Sequence, residues 1–191
     1  MKVVAFNGSA RKDGNTAILV KEVFKELKKA GIRTELVQFA GKKIQGCTAC
    51  GKCFKNKDRQ CVMKGDILNE CIEKMLEADG IILASPTYFA DVSANMKALI
   101  ERAGFVARAN DDMFRRKAGA AVIAVRRGGA IHAFDTINHF FFISQMIVPG
   151  SSYWNIGIGL APGDVKGDKE GRATMKTLGA NMAWLLEKTR T

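Results

Sequence analysis

The chain has 191 residues, 47% of them hydrophobic, a size and composition typical of one compact domain, which we expect to span residues 1–191. Its 30 lysines and arginines against 19 aspartates and glutamates give a net charge of +11, but these bases are dispersed and no nucleic-acid-binding motif accompanies them, so we do not expect nucleic acid as a partner. No secretory signal and no apolar run of the ~20 residues that a membrane helix needs are apparent, which predicts a cytoplasmic protein without a membrane span.

Strand-like and helix-like segments alternate along the chain. Apolar runs predict strands at residues 2–6, 34–39, 81–85 and 118–125, and a fifth strand beginning at 146–148. Helical periodicity predicts helices at about residues 15–30, after a cap at Asp66, and at 92–106, 130–145 and 168–188. These alternations favour an α/β fold: a doubly wound five-stranded parallel sheet in the flavodoxin-like order 2-1-3-4-5. A cysteine-rich insertion at about residues 40–64, the cysteine loop, follows strand 2.

The loop after the first strand has the composition of a phosphate site. This phosphate loop, residues 7–16, reads Asn-Gly-Ser-Ala-Arg-Lys-Asp-Gly-Asn-Thr and runs into a helix, whose free N–H groups and dipole favour an anion. Its spacing matches neither the dinucleotide fingerprint nor the P-loop of ATPases, and an ordinary capped helix after a polar turn is an alternative interpretation. The candidate phosphate contacts are Ser9, Arg11, Gly14, Asn15 and Thr16.

Two further loops are expected at the same edge of the sheet. In this topology a ligand binds at the carboxyl ends of strands 1 and 3. Strand 3 ends in a turn whose proline stiffens the backbone and whose aromatic rings suit a flat heterocycle. The loop after strand 4 adds arginines and flexible glycines on the same side. The candidate ring contacts are Pro86, Thr87, Tyr88 and Phe89 after strand 3, and Gly128 and Gly129 after strand 4.

The cysteines point to redox or metal chemistry. Cys47, Cys50 and Cys53 follow one another at x2 spacing and Cys61 comes later in the same loop, a pattern that can wrap a [4Fe–4S] cluster. Structural zinc more often uses two separated pairs, and redox-active or plain thiols are a third interpretation. An odd number of cysteines without a secretion signal argues against a disulfide framework. Cys71 lies on the apolar stripe of the next helix, where we expect a buried structural thiol.

Together, the phosphate loop, the Ser-Pro-Thr-Tyr-Phe turn and the cysteine run resemble the NADPH-dependent FMN reductase superfamily, and especially its iron–sulfur flavoprotein branch. The resemblance implies that FMN is the cofactor, with its phosphate on the phosphate loop and its ribityl chain and isoalloxazine ring against the loops after strands 3 and 4. It also implies a [4Fe–4S] cluster on Cys47, Cys50, Cys53 and Cys61, near a flavin at a subunit interface of a homodimer or homotetramer. An aromatic pair, Tyr153 and Trp154, would suit such subunit packing.

These features lead to a functional hypothesis. An FMN-dependent redox protein would pass electrons between a donor, either ferredoxin or NAD(P)H, and an unknown acceptor, through the cluster and FMN. The cofactors would carry the chemistry, because no catalytic constellation of side chains is visible. One alternative is a cluster-free NAD(P)H:FMN or quinone reductase, and a remote one is a non-catalytic FMN- or nucleic-acid-binding regulator.

Overall fold

Five parallel strands form one sheet in the order β2-β1-β3-β4-β5, which confirms the predicted flavodoxin-like arrangement. The computed structural model describes residues 1–189. The strands are β1 (Lys2–Asn7), β2 (Arg33–Gln38), β3 (Gly80–Pro86), β4 (Ala118–Val125) and β5 (Ile156–Ile158). The helices are α1 (Asn15–Lys29), α2 (Lys52–Asn56), α3 (Leu68–Glu77), α4 (Ala94–Ala109), α5 (Ala130–Ile143) and α6 (Lys169–Thr189), and a 3-10 turn covers Asp164–Gly167.

The sheet separates two hydrophobic cores. Side chains alternate across a strand, so Val3 and Ala5 of β1 face one core while Val4 and Phe6 face the other, all without exposed surface. Helices α1 and α6 cover the first core, and α3, α4 and α5 cover the second. The central strands are therefore buried on both faces, as the nearly unbroken apolar run of β4 indicates.

The fifth strand does not lie where the sequence predicts it. The predicted start at residues 146–148 forms only an isolated bridge, between Ile147 and Ala118 at the amino end of β4. The chain then continues through a loop, and β5 pairs with β4 at Ile123–Val125, near its carboxyl end. Of the apolar residues at 146–148, Met146 is buried in the core beside Phe141, whereas Ile147 is exposed. The prediction of β5 at 146–148 was therefore wrong.

Two smaller differences concern the cysteine loop and the helix after it. The loop, predicted to be irregular, contains the short helix α2. Asp66 was predicted to cap α3, but Ile67 occupies the N-cap position; an oxygen of the Asp66 carboxylate accepts a hydrogen bond from the N–H of Leu68 at 3.2 Å. Over residues 1–189, no helix is long and apolar enough to cross a membrane.

Candidate functional site

The phosphate loop is held by an amide ladder that joins β1 to β2. Asn7 and Gln38 are register partners at the carboxyl ends of these strands. The Asn7 amide donates to the Gln38 side-chain oxygen at 2.7 Å and accepts from the Ser9 N–H at 3.0 Å, while the Gln38 amide donates to the Ser9 carbonyl at 3.0 Å. Sequence reasoning missed this pair, although polar residues at paired strand ends were the available signal. The ladder fixes the backbone of Ser9 before the loop turns.

Helix α1 begins directly after this loop. Gly14 is its N-cap, and no side chain caps the helix, which leaves first-turn N–H groups to other partners. The Asn15 side chain is already engaged, because its amide donates to the Ala161 carbonyl at 3.0 Å and accepts from the Gly163 N–H at 2.9 Å. The backbone of Asn15 and Thr16, rather than the Asn15 side chain, is therefore available to an anion.

The loop after β3 is hydrogen-bonded to the phosphate loop. The Ser93 hydroxyl donates to the Gly8 carbonyl at 2.8 Å, and the Ser93 N–H donates to the Ser85 hydroxyl at 2.9 Å. A Cβ on Gly8 would lie 2.7 Å from the Ser93 oxygen, so only glycine allows this approach. The N–H of Thr87 also donates to the Ala124 carbonyl of β4 at 2.8 Å. The loops predicted to form one rim are thus in direct contact.

A cavity of about 200 Å³, the phosphate-loop cavity, opens between these loops. Thr87 is one of its lining residues, and the hydroxyl oxygen of Thr87 is buried and has no hydrogen-bond partner in the part of the chain that is described. Buried polar groups in native proteins nearly always have a partner, so an unpaired one in a cavity wall is a mark of a ligand site. Seven predicted contacts line this cavity: Ser9, Arg11, Asn15, Thr16, Pro86, Thr87 and Tyr88.

The other predicted ring contacts lie around it. Gly128 and Gly129 line a neighbouring cavity of about 310 Å³, together with Tyr153 and Trp154. Gly129 has φ +83, and a Cβ there would lie 2.8 Å from the Cα of Ala90, so the turns after β3 and β4 touch at this point.

Phe89 occupies a strained turn. Tyr88 and Asp91 exchange two backbone hydrogen bonds of 2.8 and 3.0 Å, and the central residues Phe89 and Ala90 have φ +48 and +62. Positive φ at both central positions is the geometry of a type I′ turn, which glycine and asparagine normally occupy. The Phe89 ring is fully exposed and lines neither of these two cavities, whereas Tyr88 lines the phosphate-loop cavity.

The four cysteines of the cysteine loop line a separate cavity of about 160 Å³, the cysteine cavity. The loop packs on α4, where Phe54 meets Phe105 edge to face at 6.4 Å between ring centroids. Left-handed residues, among them Ala49 and Gly51, turn the backbone around the cavity. The cysteines in its wall are Cys47, Cys50, Cys53 and Cys61.

The thiols of this loop have different surroundings. Hydrogen bonding to the backbone of Lys52 lowers the pKa of the exposed Cys50 thiol, whereas burial raises the pKa of Cys53. Cys61 faces the guanidinium of Arg102, which reaches in from α4. Cys71 lies outside the cavity in the core, where burial raises the pKa of its thiol to about 12. The expectation of a buried structural thiol at Cys71 agrees with this position.

Comparison with known proteins gives consistent relatives. A family model described as NADPH-dependent FMN reductase matches residues 1–161. An iron-sulfur flavoprotein of Methanocaldococcus jannaschii is 39% identical over 96% of this chain and 96% of its own length. One of Archaeoglobus fulgidus is 34% identical over 97% of each chain. Among solved structures, RosB with a bound intermediate superposes with a TM-score of 0.75 over 98% of this chain and 79% of its own, and at 20% identity this likeness concerns the fold.

Proposed function

The chain belongs to the NADPH-dependent FMN reductase family, in the branch of the iron–sulfur flavoproteins, and from this premise we propose that it transfers electrons between a donor and an acceptor through FMN and a [4Fe–4S] cluster. Membership establishes an FMN-dependent redox protein and a flavin-dependent oxidoreductase. The identity of the second redox centre, the donor and the residues that hold each cofactor are our proposal.

The residues around the phosphate loop fit FMN. The phosphate would bind the N–H groups at the start of α1, where the helix dipole favours an anion, with Ser9 and Arg11 beside it. Arg11 holds the Leu160 carbonyl at 3.3 Å through one nitrogen, which leaves other guanidinium donors for a phosphate oxygen. The unpaired Thr87 hydroxyl would gain a partner from the ligand.

The rest of the flavin would lie along the rim made by the turns after β3 and β4. Pro86, Tyr88 and the backbone at Gly128 and Gly129 would shape the ribityl and ring sites, and Phe89 would extend the rim outward. When bound, FMN supplies both one- and two-electron chemistry, and the protein residues orient it and exclude water. Arg126 in the cavity wall adds positive charge that would stabilise an anionic reduced flavin.

The single observation that supports the proposal of a second redox centre is the cavity that the four cysteines share. Across residues 1–189, no three His, Cys, Asp or Glu side chains converge closely enough to hold one metal ion. Thiols spread around the wall of a cavity suit a polynuclear cluster, whose iron atoms lie apart and each take one cysteine.

The charge of the cysteine loop favours an acidic one-electron donor such as ferredoxin. Exposed basic residues are spread through this loop, and Asp58 is the one acidic residue between positions 40 and 64. A positive surface of this kind accelerates association with acidic partners. The rate of electron transfer from a reduced ferredoxin should therefore fall steeply as ionic strength rises. The exposed bases are Lys42, Lys43, Lys52, Lys55, Lys57, Arg59 and Lys64.

A homodimer or homotetramer fits the exposed aromatic residues. Tyr153 and Trp154 stack edge to face with centroids 4.5 Å apart, yet remain 59% and 49% exposed beside the cavity that Gly128 and Gly129 line. Exposed aromatic residues of this kind are typical of protein interfaces. Sedimentation velocity would test this, and Trp154→Arg should shift the protein towards smaller species.

The test of the proposed function is cofactor analysis after anaerobic reconstitution with iron, sulfide and FMN. We expect one FMN and four iron and four sulfide per chain, with a broad absorbance shoulder beside the flavin bands. Cys61→Ser should lose iron and keep FMN. Cys71→Ala is the matched control, because this cysteine lies in the core and outside the cavity. Iron below one atom per chain in the wild type would contradict the cluster, and rapid NAD(P)H oxidation without iron would favour the cluster-free reductase.

A further inference from the structure

Arg102 is a fully buried cation in the middle of α4. Its side chain has no exposed surface, and the Asp66 carboxylate with which it pairs is 1% exposed. Removing a guanidinium from water is costly unless each of its donors finds a partner. The sequence offers no simple reason for an arginine here, because Leu99, Ala103 and Val106 around it belong to the apolar face of the helix.

Every N–H donor of Arg102 has a partner, and all of the partners lie between residues 45 and 66. Nη1 donates to Asp66 and to the Gln45 carbonyl at 3.1 Å, and Nη2 donates to the Met63 carbonyl at 3.1 Å. The remaining donors, on Nε and Nη2, both point to the sulfur of Cys61 at 3.4 and 3.3 Å. These contacts satisfy the five donors of a guanidinium.

The edge of the guanidinium that holds Cys61 is the fork that usually binds a carboxylate. A neutral thiol is a weak acceptor and makes poor use of two charged donors, whereas a sulfur that carries negative charge matches them. Asp66 already balances one positive charge, and burial opposes its ionisation while the hydrogen bonds from Arg102 and two backbone N–H groups lower its pKa overall. The pair itself is thus neutral, and it is the two donors aimed at Cys61 that suit a sulfur with negative charge.

Cys61 is also fixed through its backbone. Its N–H donates to the Asn69 side-chain oxygen at 2.8 Å, and the Asn69 amide donates to its carbonyl at 2.9 Å. The other cysteines are held differently: the Cys47 sulfur accepts one backbone N–H, from Ala49 at 3.4 Å. Among the described residues, the sulfur of Cys61 is the one of the four that accepts two hydrogen bonds from a buried cation.

We propose that Arg102 is a positioning residue that holds the sulfur of Cys61, the proposed fourth ligand, and raises the reduction potential of the cluster, an inference that rests on the proposed function. When a low-potential one-electron donor delivers an electron, the charge enclosed by the four cysteine sulfurs becomes more negative by one. No bond forms or breaks and no proton moves. Two N–H groups of a fully buried cation, aimed at one of those sulfurs, stabilise the more negative state.

The test is a redox titration of reconstituted protein with dithionite as the electron donor, monitored by EPR. Arg102→Lys keeps the positive charge beside Asp66 but cannot form the fork. We expect it to lower the equilibrium constant for cluster reduction at least tenfold, which is a fall of about 59 mV in midpoint potential for one electron. The FMN potential in the same titration is the internal reference and should not change.

Arg172→Lys is the matched control. Arg172 grips the buried carboxylate of Glu22 with Nε at 3.2 Å and Nη2 at 3.0 Å, and it contacts no cysteine. A general effect of replacing an arginine that pairs with a buried carboxylate would appear in both variants, whereas the proposed effect appears only at position 102. If the equilibrium constant for cluster reduction in cluster-loaded Arg102→Lys protein stayed within twofold of the wild-type value, the inference would be overturned. The proposed function would still stand.

A measurement on the wild type covers the case in which Arg102→Lys does not fold. Protein grown with arginine labelled with ¹⁵N at its guanidino nitrogens should show ¹⁵N hyperfine coupling to the reduced cluster in pulsed EPR. The reason is that Nη2 of Arg102 donates a hydrogen bond to the sulfur of Cys61, the proposed ligand. No coupling in a fully loaded sample would overturn the inference. A wild type that takes up no iron would contradict the proposed function itself.

Discussion

Thr87→Val should have opposite effects on the protein alone and on its affinity for FMN. The Thr87 hydroxyl is buried without a partner among residues 1–189, and the residue lies in the wall of the phosphate-loop cavity. Valine has nearly the same shape as threonine, so this exchange removes an unpaired polar atom without creating a hole. The FMN-free protein should become more stable, while the ligand loses a hydrogen-bonding partner.

The magnitudes follow from the cost of an unpaired hydroxyl. A buried polar group without a partner costs about 1–3 kcal/mol, so the free energy of unfolding of FMN-free protein should rise by up to that amount. A neutral hydrogen bond to the ligand contributes about 0.5–1.5 kcal/mol, so the Kd for FMN should rise roughly two- to tenfold.

Urea unfolding of FMN-free protein and fluorescence titration with FMN measure the two effects. Thr177→Val is the control: that hydroxyl already donates to the Ala173 carbonyl at 3.3 Å on α6, and its replacement should leave FMN affinity unchanged. If Thr87→Val destabilised the FMN-free protein, or left the Kd at its wild-type value, the assignment of this hydroxyl to the ligand would be refuted.

Three further predictions concern backbone strain, pH and thiol reactivity. Gly129→Ala should lower stability by at least about 1–2 kcal/mol in urea unfolding, because φ is +83 and the new Cβ would lie 2.8 Å from the Cα of Ala90. At Glu22, burial acts to raise the pKa, but hydrogen bonds from basic neighbours lower it overall. The ion pairs of Glu22 therefore stabilise the protein above the unfolded-state pKa of about 4.3, and this stabilisation is lost as the pH falls through the lower pKa of the folded state. Glu22→Gln should therefore flatten the pH dependence of the urea midpoint between about pH 5 and pH 3. Burial raises the pKa of Cys71 to about 12, so iodoacetamide should leave Cys71 unmodified in the folded protein, as mass spectrometry would show.

Each of these has a distinct contrary result. A Cβ on Gly128 would meet no atom within 4 Å, and the φ of this residue is not in the left-handed range, so Gly128→Ala is the control. Equal losses of stability at both glycines would argue against the contact with Ala90. An unchanged acid limb in Glu22→Gln would mean that the ion pairs contribute little. Alkylation of Cys71 as fast as that of the exposed Cys50 would contradict its burial.

The sequence predicts the strand order, and with it the edge at which the loops of the proposed flavin site meet, better than the position of the last strand. Parallel topology brings the carboxyl ends of β1, β3 and β4 to one edge, so their loops could be predicted to lie together before any contact was known. The location of β5 depends on which stretch of chain after α5 reaches β4, and both 146–148 and Ile156–Ile158 are short and apolar. Local pattern cannot separate them, because the choice is made by packing on β4.

The side chains that organise the sites were harder to find. Arg102 belongs to the buried face of α4, and a charged residue at such a position is a signal only once the face has been identified. Asn7 and Gln38 gain meaning from being register partners across two strands. The contact between Arg102 and Cys61 joins residues 41 apart in the chain, and no spacing rule connects them.

The long-range contacts around the phosphate loop also bear on when FMN would bind at the proposed site. Ser93 meets Gly8 across 85 residues of chain, and Arg11 meets Leu160 across 149. A nascent chain that ends before residue 159 lacks the wall that Gly159 and Leu160 contribute, although its phosphate loop left the ribosome long before. Contacts so distant in sequence form late in folding. We therefore expect FMN to bind at the proposed site only after residues 159 and 160 have been synthesised and have packed beside the phosphate loop.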